Sequence, residues 1–326
     1  MAGNARELVV AGPLQNVSIK YKNGNYIADR VFPMVDGVGY RAKIARYLKG
    51  SAFRDEAGIR GPGARAPRGN YKIDYIDLAT VEFAHATPVT DEDREAVKQQ
   101  GGPPLQPDQE AIENSSDKVD LKKEVRIAAL VKESQWSGLA AGGEDAAGLW
   151  AAGTGNTFIA DIKNGIATIR RNTGMKPNVL LLDFGTFESL REESTLTDKI
   201  KYVQKGIVTA DLIAAFFGLE EILIGDAIVN TARETKSGLD WSGSDIWTVN
   251  AGKGMGFLFY RPKTVGLKTA AAGVQARKKY ETGQVRRTTT WREAPEHQDL
   301  YEVAEETHIL QVAADLGYLW KDTLLT

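Results

Sequence analysis

Residues 53–93 read FRDEAGIRGPGARAPRGNYKIDYIDLATVEFAHATPVTDED, a loop that leads into a long alternating strand and then into a helix start. The glycines and prolines of the loop disfavour regular structure: Gly58, Gly61, Pro62, Gly63, Pro67 and Gly69. Its arginines resist burial: Arg54, Arg60, Arg65 and Arg68. The loop therefore cannot form a core of its own. We expect it to lie on a surface, and a neighbouring molecule is one candidate for that surface.

The strand that follows the loop is predicted to change partner along its length. Odd positions from Tyr71 to His85 are mainly apolar, but the alternation slips at 76–78. A slip of one residue moves side chains to the other face, which predicts a bulge where the strand meets a new partner or surface. Since the stretch is about three times a typical strand, we expect a long two-stranded hairpin that projects from a domain.

Composition is that of a globular protein with a sizeable core. The chain has 326 residues, 42% of them hydrophobic, which allows one large or two modest domains. A net charge of −2 argues against a dedicated nucleic-acid binder. The absence of cysteine excludes disulfides, thiol nucleophiles and cysteine metal sites. No signal peptide or apolar span of about 20 residues is apparent, so we expect no membrane partner.

On either side of the loop, the pattern predicts an arm and two helices. Residues 1–50 contain only short alternations, such as 17–21, and predict an extended arm. Thr90, followed by three acidic residues, predicts the start of a helix that ends at 101–104. Ser115 or Ser116 is predicted to cap a second helix that runs to about Trp136 and is about 30 Å long.

Residues 153–282 have an α/β texture. An isoleucine stripe from Ile159 to Ile169 predicts a helix ending at Gly174, and 179–182 reads as a buried strand. Thr209 is predicted to begin another helix, and residues 222–224 are predicted to form a second buried strand. We also expect a hairpin from 246–249 and 256–260. Residues 286–326 return to strand-like alternation, so the predicted class is α+β.

The glycine clusters and acidic groups show little sign of catalytic chemistry. Gly252–Gly256 does not open a helix and lacks a serine or threonine after its lysine, which favours a hairpin turn over a phosphate loop. The amides of 153–156 precede a helix and could hold an anion, but no strand leads into them. The cluster 305–308 is interpreted as a solvated turn beside a strand. We predict no catalytic residue, no cofactor and no metal site.

The loop arginines have two candidate partners, phosphates or carboxylates of a neighbouring subunit. The planar guanidinium makes bidentate contacts to either group. The near-neutral net charge favours carboxylates. Candidate acceptors in the sequence are Asp91, Glu92, Asp93, Glu192 and Glu193.

Several segments follow one another in an order typical of one family: 27–33 (IADRVFP), 53–57 (FRDEA) leading into 61–63 (GPG), 171–183 (RNTGMKPNVLLLD) and 225–232 (GDAIVNTA). In this order the chain resembles the major capsid proteins of tailed bacteriophages, with the Hong Kong 97 type of fold. The resemblance implies an N-terminal arm (1–45), an extended β-hairpin loop (46–88), a peripheral domain with a long spine helix (89–152), an axial domain (153–282) and C-terminal strands that return to the peripheral domain (283–326).

The resemblance also implies a structural function rather than an enzymatic one. The subunit would self-assemble into pentamers and hexamers of an icosahedral shell around double-stranded DNA, bound without sequence specificity. Scaffolding, portal and decoration proteins would be partners, with assembly in the host cytoplasm and a final location in the virion capsid. The family's lysine–asparagine cross-link is not carried over, since no motif identifies a partner for Lys72.

Within that assembly we expect inter-subunit contacts from Arg54, Arg60, Arg65, Arg68, Pro62, Tyr71 and Phe32. Two alternatives stay open at this point. One is an encapsulin-like compartment shell. The other is a cytoplasmic α/β enzyme with a nucleotide site near 153–156.

Overall fold

The computed structural model describes residues 22–99, 106–153, 155–194, 196, 198, 209–235, 240–266 and 268–324. Its helices are α1 (Ala28–Val31), α2 (Lys49–Ala52), α3 (Asp91–Gln99), α4 (Pro107–Glu133), α5 (Phe158–Thr173), α6 (Phe184–Glu192) and α7 (Ala210–Phe217). Its strands are β1 (Met34–Asp36), β2 (Arg41–Tyr47), β3 (Ile73–Ala79), β4 (Val81–Thr90), β5 (Glu144–Asp145), β6 (Val179–Asp183), β7 (Glu221–Gly225), β8 (Ile228–Asn230), β9 (Gly243–Asp245), β10 (Met255–Phe259), β11 (Gly273–Arg277), β12 (Arg286–Glu293), β13 (Gln298–Gln311) and β14 (Gly317–Lys321).

A first sheet of five strands is organised around the long strand β13, and we call it the β13 sheet. β13 is antiparallel to β4, β12 and β11, and β1 runs parallel to β11. Helix α4 packs across β4 and β13. At 27 residues and about 1.5 Å per residue, α4 is about 40 Å long.

A second sheet of five strands, the β10 sheet, has the order β5-β14-β10-β6-β7. β6 and β7 are parallel, whereas β10 is antiparallel to both of its neighbours. All five residues of β6 are buried, which is why it reads as a continuous apolar run. The core beneath this sheet is aromatic: the rings of Trp150 and Trp320 lie 5.3 Å apart.

β2 and β3 form a separate two-stranded hairpin with the loop 48–72 at its tip. The predicted change of partner is confirmed, because β3 pairs with β2 whereas β4 pairs with β13. The change occurs at Thr80 rather than at the predicted slip at 76–78. Thr80 is buried and its hydroxyl donates a hydrogen bond to Glu306, which turns the chain from the hairpin into the sheet.

Several local predictions are confirmed. The hydroxyl oxygen of Thr90 accepts a hydrogen bond from the N–H of Asp93 (3.2 Å) at the start of α3. α5 and α7 are terminated by Gly174 and Gly218, the residues that follow them, whose φ angles of 71° and 64° lie in the left-handed region that glycine adopts without strain.

The predicted start of the long helix was wrong. The structure begins α4 at Pro107, since a first helical position needs no N–H donor, and places Asp108 and Glu110 in the first turn. Ser115 is instead buried inside the helix, where its hydroxyl donates to the carbonyl of Tyr301 (3.0 Å). The helix also ends at Glu133, before Trp136.

The predicted hairpin of 246–249 and 256–260 was also wrong. β9 pairs with β8, whereas β10 pairs with β6 and β14, so 252–256 is not a hairpin turn. Trp247 explains the difference, because it is fully buried and its indole N–H donates to Glu124 (2.6 Å). This hydrogen bond attaches residues 246–249 to α4, and the segment does not pair with β10.

The strands at the end of the chain divide between the two large sheets. β12 and β13 lie in the sheet that α4 covers, but β14 pairs with β10 in the other sheet. Its large side chains at 318–320 are buried there, and burial decides the partner. The predicted domain boundaries stay predictions.

Two predictions lie outside the described residues, namely the alternation at 17–21 and the helix end at 101–104. Within the described part of the chain, no helix is both long enough and apolar enough to cross a bilayer.

Candidate subunit-contact surface

The tip of the loop 48–72 and the first residues of the adjoining strand β3 are exposed. Every residue from 52 to 75 is exposed. Ile59 is 103% exposed, Phe53 68% and Tyr71 66%. Removing such side chains from water is favourable by about 25 cal/mol per Å². An exposed apolar set of this size is typical of a surface that another molecule covers.

The hairpin is attached to the body by one face only. Ile44, Ile76 and Leu78 pack in a small cluster with residues of the β13 sheet. On its other face, Tyr47 stands opposite Ile73, and both are exposed. The second face of the hairpin is therefore open, like the loop at its tip.

The base of the loop is held by contacts that are themselves exposed. Lys49 forms an ion pair with Asp315, Lys268 Nζ lies 5.6 Å from the centre of the Tyr47 ring, and the Phe53 ring packs against Gly174. Exposed ion pairs contribute only about 0–1 kcal/mol. These contacts position the base of the loop without covering its tip.

The four predicted arginines have few partners. Arg54 lies 3.8 Å from Glu56, and Arg60 Nε donates to the carbonyl of Ala64 (2.7 Å). Arg65 and Arg68 have no ion-pair or hydrogen-bond partner among the described residues. Residues 49–72 carry six basic and two acidic side chains, a net charge of +4. The loop thus combines exposed apolar side chains with unpaired positive charge.

The other predicted contact residues divide into two groups. Pro62 and Tyr71 are exposed in the loop, as the prediction requires, and their contact with a neighbouring subunit stays a prediction. Phe32 is a correction, because it is only 1% exposed and packs edge-to-face on Phe259, with ring centres 6.0 Å apart. It belongs to the core of its own chain and cannot contact another subunit.

Most of the candidate carboxylate acceptors are already engaged. Asp91 pairs with Arg292 and Arg94, and Asp93 accepts a hydrogen bond from the Thr90 hydroxyl (2.8 Å). Glu193 is buried and accepts from the N–H of Gly153 (2.9 Å). Glu92 and Glu192 are exposed and remain candidate acceptors.

Glu193 also bears on the nucleotide alternative. Before the start of α5, the carboxylate of Glu193 accepts a hydrogen bond from the Gly153 N–H, and Asn156 Oδ1 accepts one from the N–H of Phe158 (3.0 Å). An anion bound there would meet a carboxylate and an amide that is already used. The geometry therefore does not support a phosphate site at these residues.

The cluster 305–308 is not a solvated turn, contrary to the interpretation of the sequence. Glu305 and Glu306 lie within β13, and both are buried. Glu305 pairs with Arg286 (3.0 Å) and with Lys123 of α4 (3.3 Å), and Glu306 pairs with Lys278 (2.7 Å). In a sequence, two adjacent acidic residues indicate a solvated segment. Here both can be buried because cations that are distant along the chain pair with them.

We expect Glu306→Gln to reduce the pH dependence of the free energy of unfolding at acidic pH. Burial alone would raise the pKa of Glu306, but hydrogen bonds from Lys278 and Thr80 to its carboxylate outweigh this and lower the pKa. The ionised group therefore stabilises the fold above its unfolded pKa of about 4.3, and that stability is lost as the pH falls through the lower folded pKa.

Urea unfolding from about pH 3 to about pH 7 would measure this effect. At neutral pH the variant should be about 1–3 kcal/mol less stable. Glu133→Gln, at the exposed end of α4, is the control. An acid slope in the Glu306→Gln protein equal to that of the parent would contradict the assignment.

No protein-family model matches the chain. The major capsid protein of Burkholderia phage BcepMu is 28% identical over 255 residues, which cover 76% of this chain and 77% of that protein. This relative is a phage capsid protein, so the comparison does not favour an encapsulin-like compartment.

Solved structures share the fold across almost the whole chain. A phage-related protein from Bordetella bronchiseptica RB50 matches with a TM-score of 0.66 and 18% identity, over 94% of this chain and 95% of its own. The capsid of cyanophage P-SCSP1u matches with a TM-score of 0.62 and 10% identity, over 97% of this chain and 93% of its own. The mature capsid of bacteriophage PhiM1 matches with a TM-score of 0.59 and 14% identity, over 98% of this chain and 92% of its own. The predicted α+β phage-capsid fold is confirmed.

Proposed function

We infer that this chain is the major capsid protein of a tailed phage, a structural subunit of the Hong Kong 97 type. The curated relative bears that name, and the fold is that of phage capsids. The observation on this molecule that carries the function is the uncovered loop and hairpin face, where every residue from 52 to 75 is exposed. A subunit that works alone would have no use for such a surface.

We propose that the loop 48–72 lies over an adjacent subunit in pentamers and hexamers of an icosahedral shell. Its exposed apolar side chains and its charge of +4 support this. Shells are built from many modest contacts, because repetition of an interface multiplies a weak interaction. A long flexible loop gives a large contact area at modest net affinity, since its ordering on binding offsets part of the gain.

The other partners follow from the same proposal. The shell would enclose double-stranded DNA without sequence specificity, and the net charge of −2 gives no support for tight binding of many phosphates. Scaffolding, portal and decoration proteins would act during assembly in the host cytoplasm, and the virion capsid would be the final location. The role is structural, so we assign no catalytic residue.

Assembly of the purified protein tests the function. Sedimentation velocity and electron microscopy, with and without a scaffolding protein, should show capsomers or regular shells of uniform diameter. A matched variant in which a short Gly-Ser linker replaces 53–71 should stay folded but fail to form them. A protein that remains monomeric under every condition, with scaffold included, would rule out the proposal.

A further inference from the structure

Residues 22–32, which we call the strap, contact both large sheets, and Ile27, Ala28, Val31 and Phe32 are buried in the core. Near its start, the side chain of Asn23 donates to the carbonyl of Ile228 (3.0 Å) and accepts from the Ile228 N–H (3.2 Å), so it binds the edge of β8. The hydroxyl of Tyr26 then donates to Asp117 of α4 (3.3 Å). The first part of the strap therefore contacts both β8 and α4.

The centre of the strap is anchored by a buried carboxylate of α4. Glu124 is 0% exposed and accepts hydrogen bonds from the N–H groups of Ala28 (2.8 Å) and Ile27 (3.2 Å) and from the indole of Trp247 (2.6 Å). Burial raises its pKa, while these three hydrogen bonds act in the opposite direction. One side chain therefore joins the strap, α4 and the segment after β9.

The end of the strap is attached to both sheets. The side-chain amide of Gln275, in β11 of the β13 sheet, donates to the carbonyls of Ala28 (2.8 Å) and Phe32 (2.9 Å). In the β10 sheet, Glu221 of β7 pairs with Arg30 of the strap and with Arg261. The strap is therefore bound through its backbone to the β13 sheet and through the Arg30 side chain to the β10 sheet.

The position of these attachments along α4 gives them mechanical leverage. Ile127, Ala128 and Val131 in the last part of α4, and Trp136 just after the helix, are buried in the same core as the β10 sheet, and we call this contact the pivot. Glu124 lies three residues before Ile127, about 4.5 Å along the helix axis. Its hydrogen bonds extend the attachment of α4 by about one turn beyond the pivot and so oppose rotation of the helix about it. A single turn of helix such as α1 has no stability of its own, so its contacts hold it in place.

We propose that the strap sets the angle between α4 with its β13 sheet and the β10 sheet, and that Glu124 is the positioning residue that anchors it. Without this carboxylate, three N–H groups lose their acceptor, and the strap loses its buried polar attachment to α4, while the less buried contacts Tyr26–Asp117 and Asp29–Lys123 remain. The two sheets then sample a range of angles about the pivot. The consequence for a shell rests on the proposed function: subunits with an undefined angle would give particles of undefined curvature.

Distance measurement in the free subunit tests the strap directly. The chain has no cysteine, so the pair Lys122→Cys and Arg170→Cys, at exposed positions of α4 and α5, carries the only spin labels. Double electron–electron resonance should give one narrow distance distribution in the parent. With Glu124→Ala we expect the width of that distribution to increase about twofold or its maximum to shift, while Glu133→Ala on the same helix leaves it unchanged.

Trp247→Phe is the second variant, because it removes one donor to Glu124 and keeps an aromatic ring in the core. It should broaden the distribution less than Glu124→Ala does. If Glu124→Ala does not fold, Trp247→Phe decides the question. A folded variant with a parental distribution overturns the proposal. Since no shell is needed, a protein that failed to assemble would leave this result intact, and the two proposals can fail separately.

Discussion

Replacing Arg54, Arg60, Arg65 and Arg68 together by serine should prevent shell formation while the subunit stays folded. All four side chains are exposed, and none is part of the core. If each makes one exposed ionic contact of about 0.5 kcal/mol on a neighbour, the loss is about 2 kcal/mol per interface. That weakens each contact about 30-fold, and repetition around a shell multiplies the effect.

Sedimentation should therefore show free subunits at concentrations where the parent forms particles. The free energy of unfolding should change by less than about 0.5 kcal/mol, as is usual for exposed positions. A control with the same change in charge replaces exposed basic residues elsewhere, Lys118, Lys122, Lys163 and Arg170. Unfolding of the loop variant, or normal shells from it, would refute the role assigned to the loop.

Trp320→Ala should reduce the free energy of unfolding by about 3–5 kcal/mol, the usual loss for a large buried aromatic side chain. The side chain is 1% exposed in β14 and packs on Trp150 and Tyr318. Its ring also fills the space left by Gly165, where an added Cβ would lie 2.5 Å from it. With total stabilities of about 5–15 kcal/mol, this loss removes much of the margin.

Guanidinium unfolding followed by near-UV circular dichroism would measure that loss. Trp291→Ala is the matched control, because Trp291 lies in β12 and is 37% exposed. It should cost much less than the buried position. Equal effects at the two positions would mean that β14 is not an inner strand of the β10 sheet. If Trp320→Ala is insoluble, Trp320→Phe should show a smaller loss of the same sign.

Local features of the fold were predictable because their causes lie close together in the chain. The start of α3 depends on Thr90 and the residues after it, and the end of α5 depends on Gly174. The exposure of the loop follows from its own glycine, proline and arginine content. The change of partner between β3 and β4 was predictable in kind, although the alternation placed it a few residues too early.

Features that depend on distant partners were not predictable. Glu305 and Glu306 were interpreted as solvated, because the cations that pair with them come from α4 and from residues before and within β12. Nothing in the sequence indicated that Glu124 is buried, since a glutamate on a long polar helix is ordinarily exposed. Phe32 was placed at a subunit contact because its apolar character was visible, but the ring that covers it was not.

The stretch 53–93 by itself determined that this protein has a loop without a core of its own, next to a strand that changes partner and a capped helix. Those properties arise from the conformational limits of glycine and proline, the solvation of arginine, and alternation along a strand. The tertiary structure alone decided which face of the hairpin is attached, which charges are buried and how the strap joins the two sheets. These depend on contacts between residues far apart in sequence, whose energies exist only once the chain has brought them together.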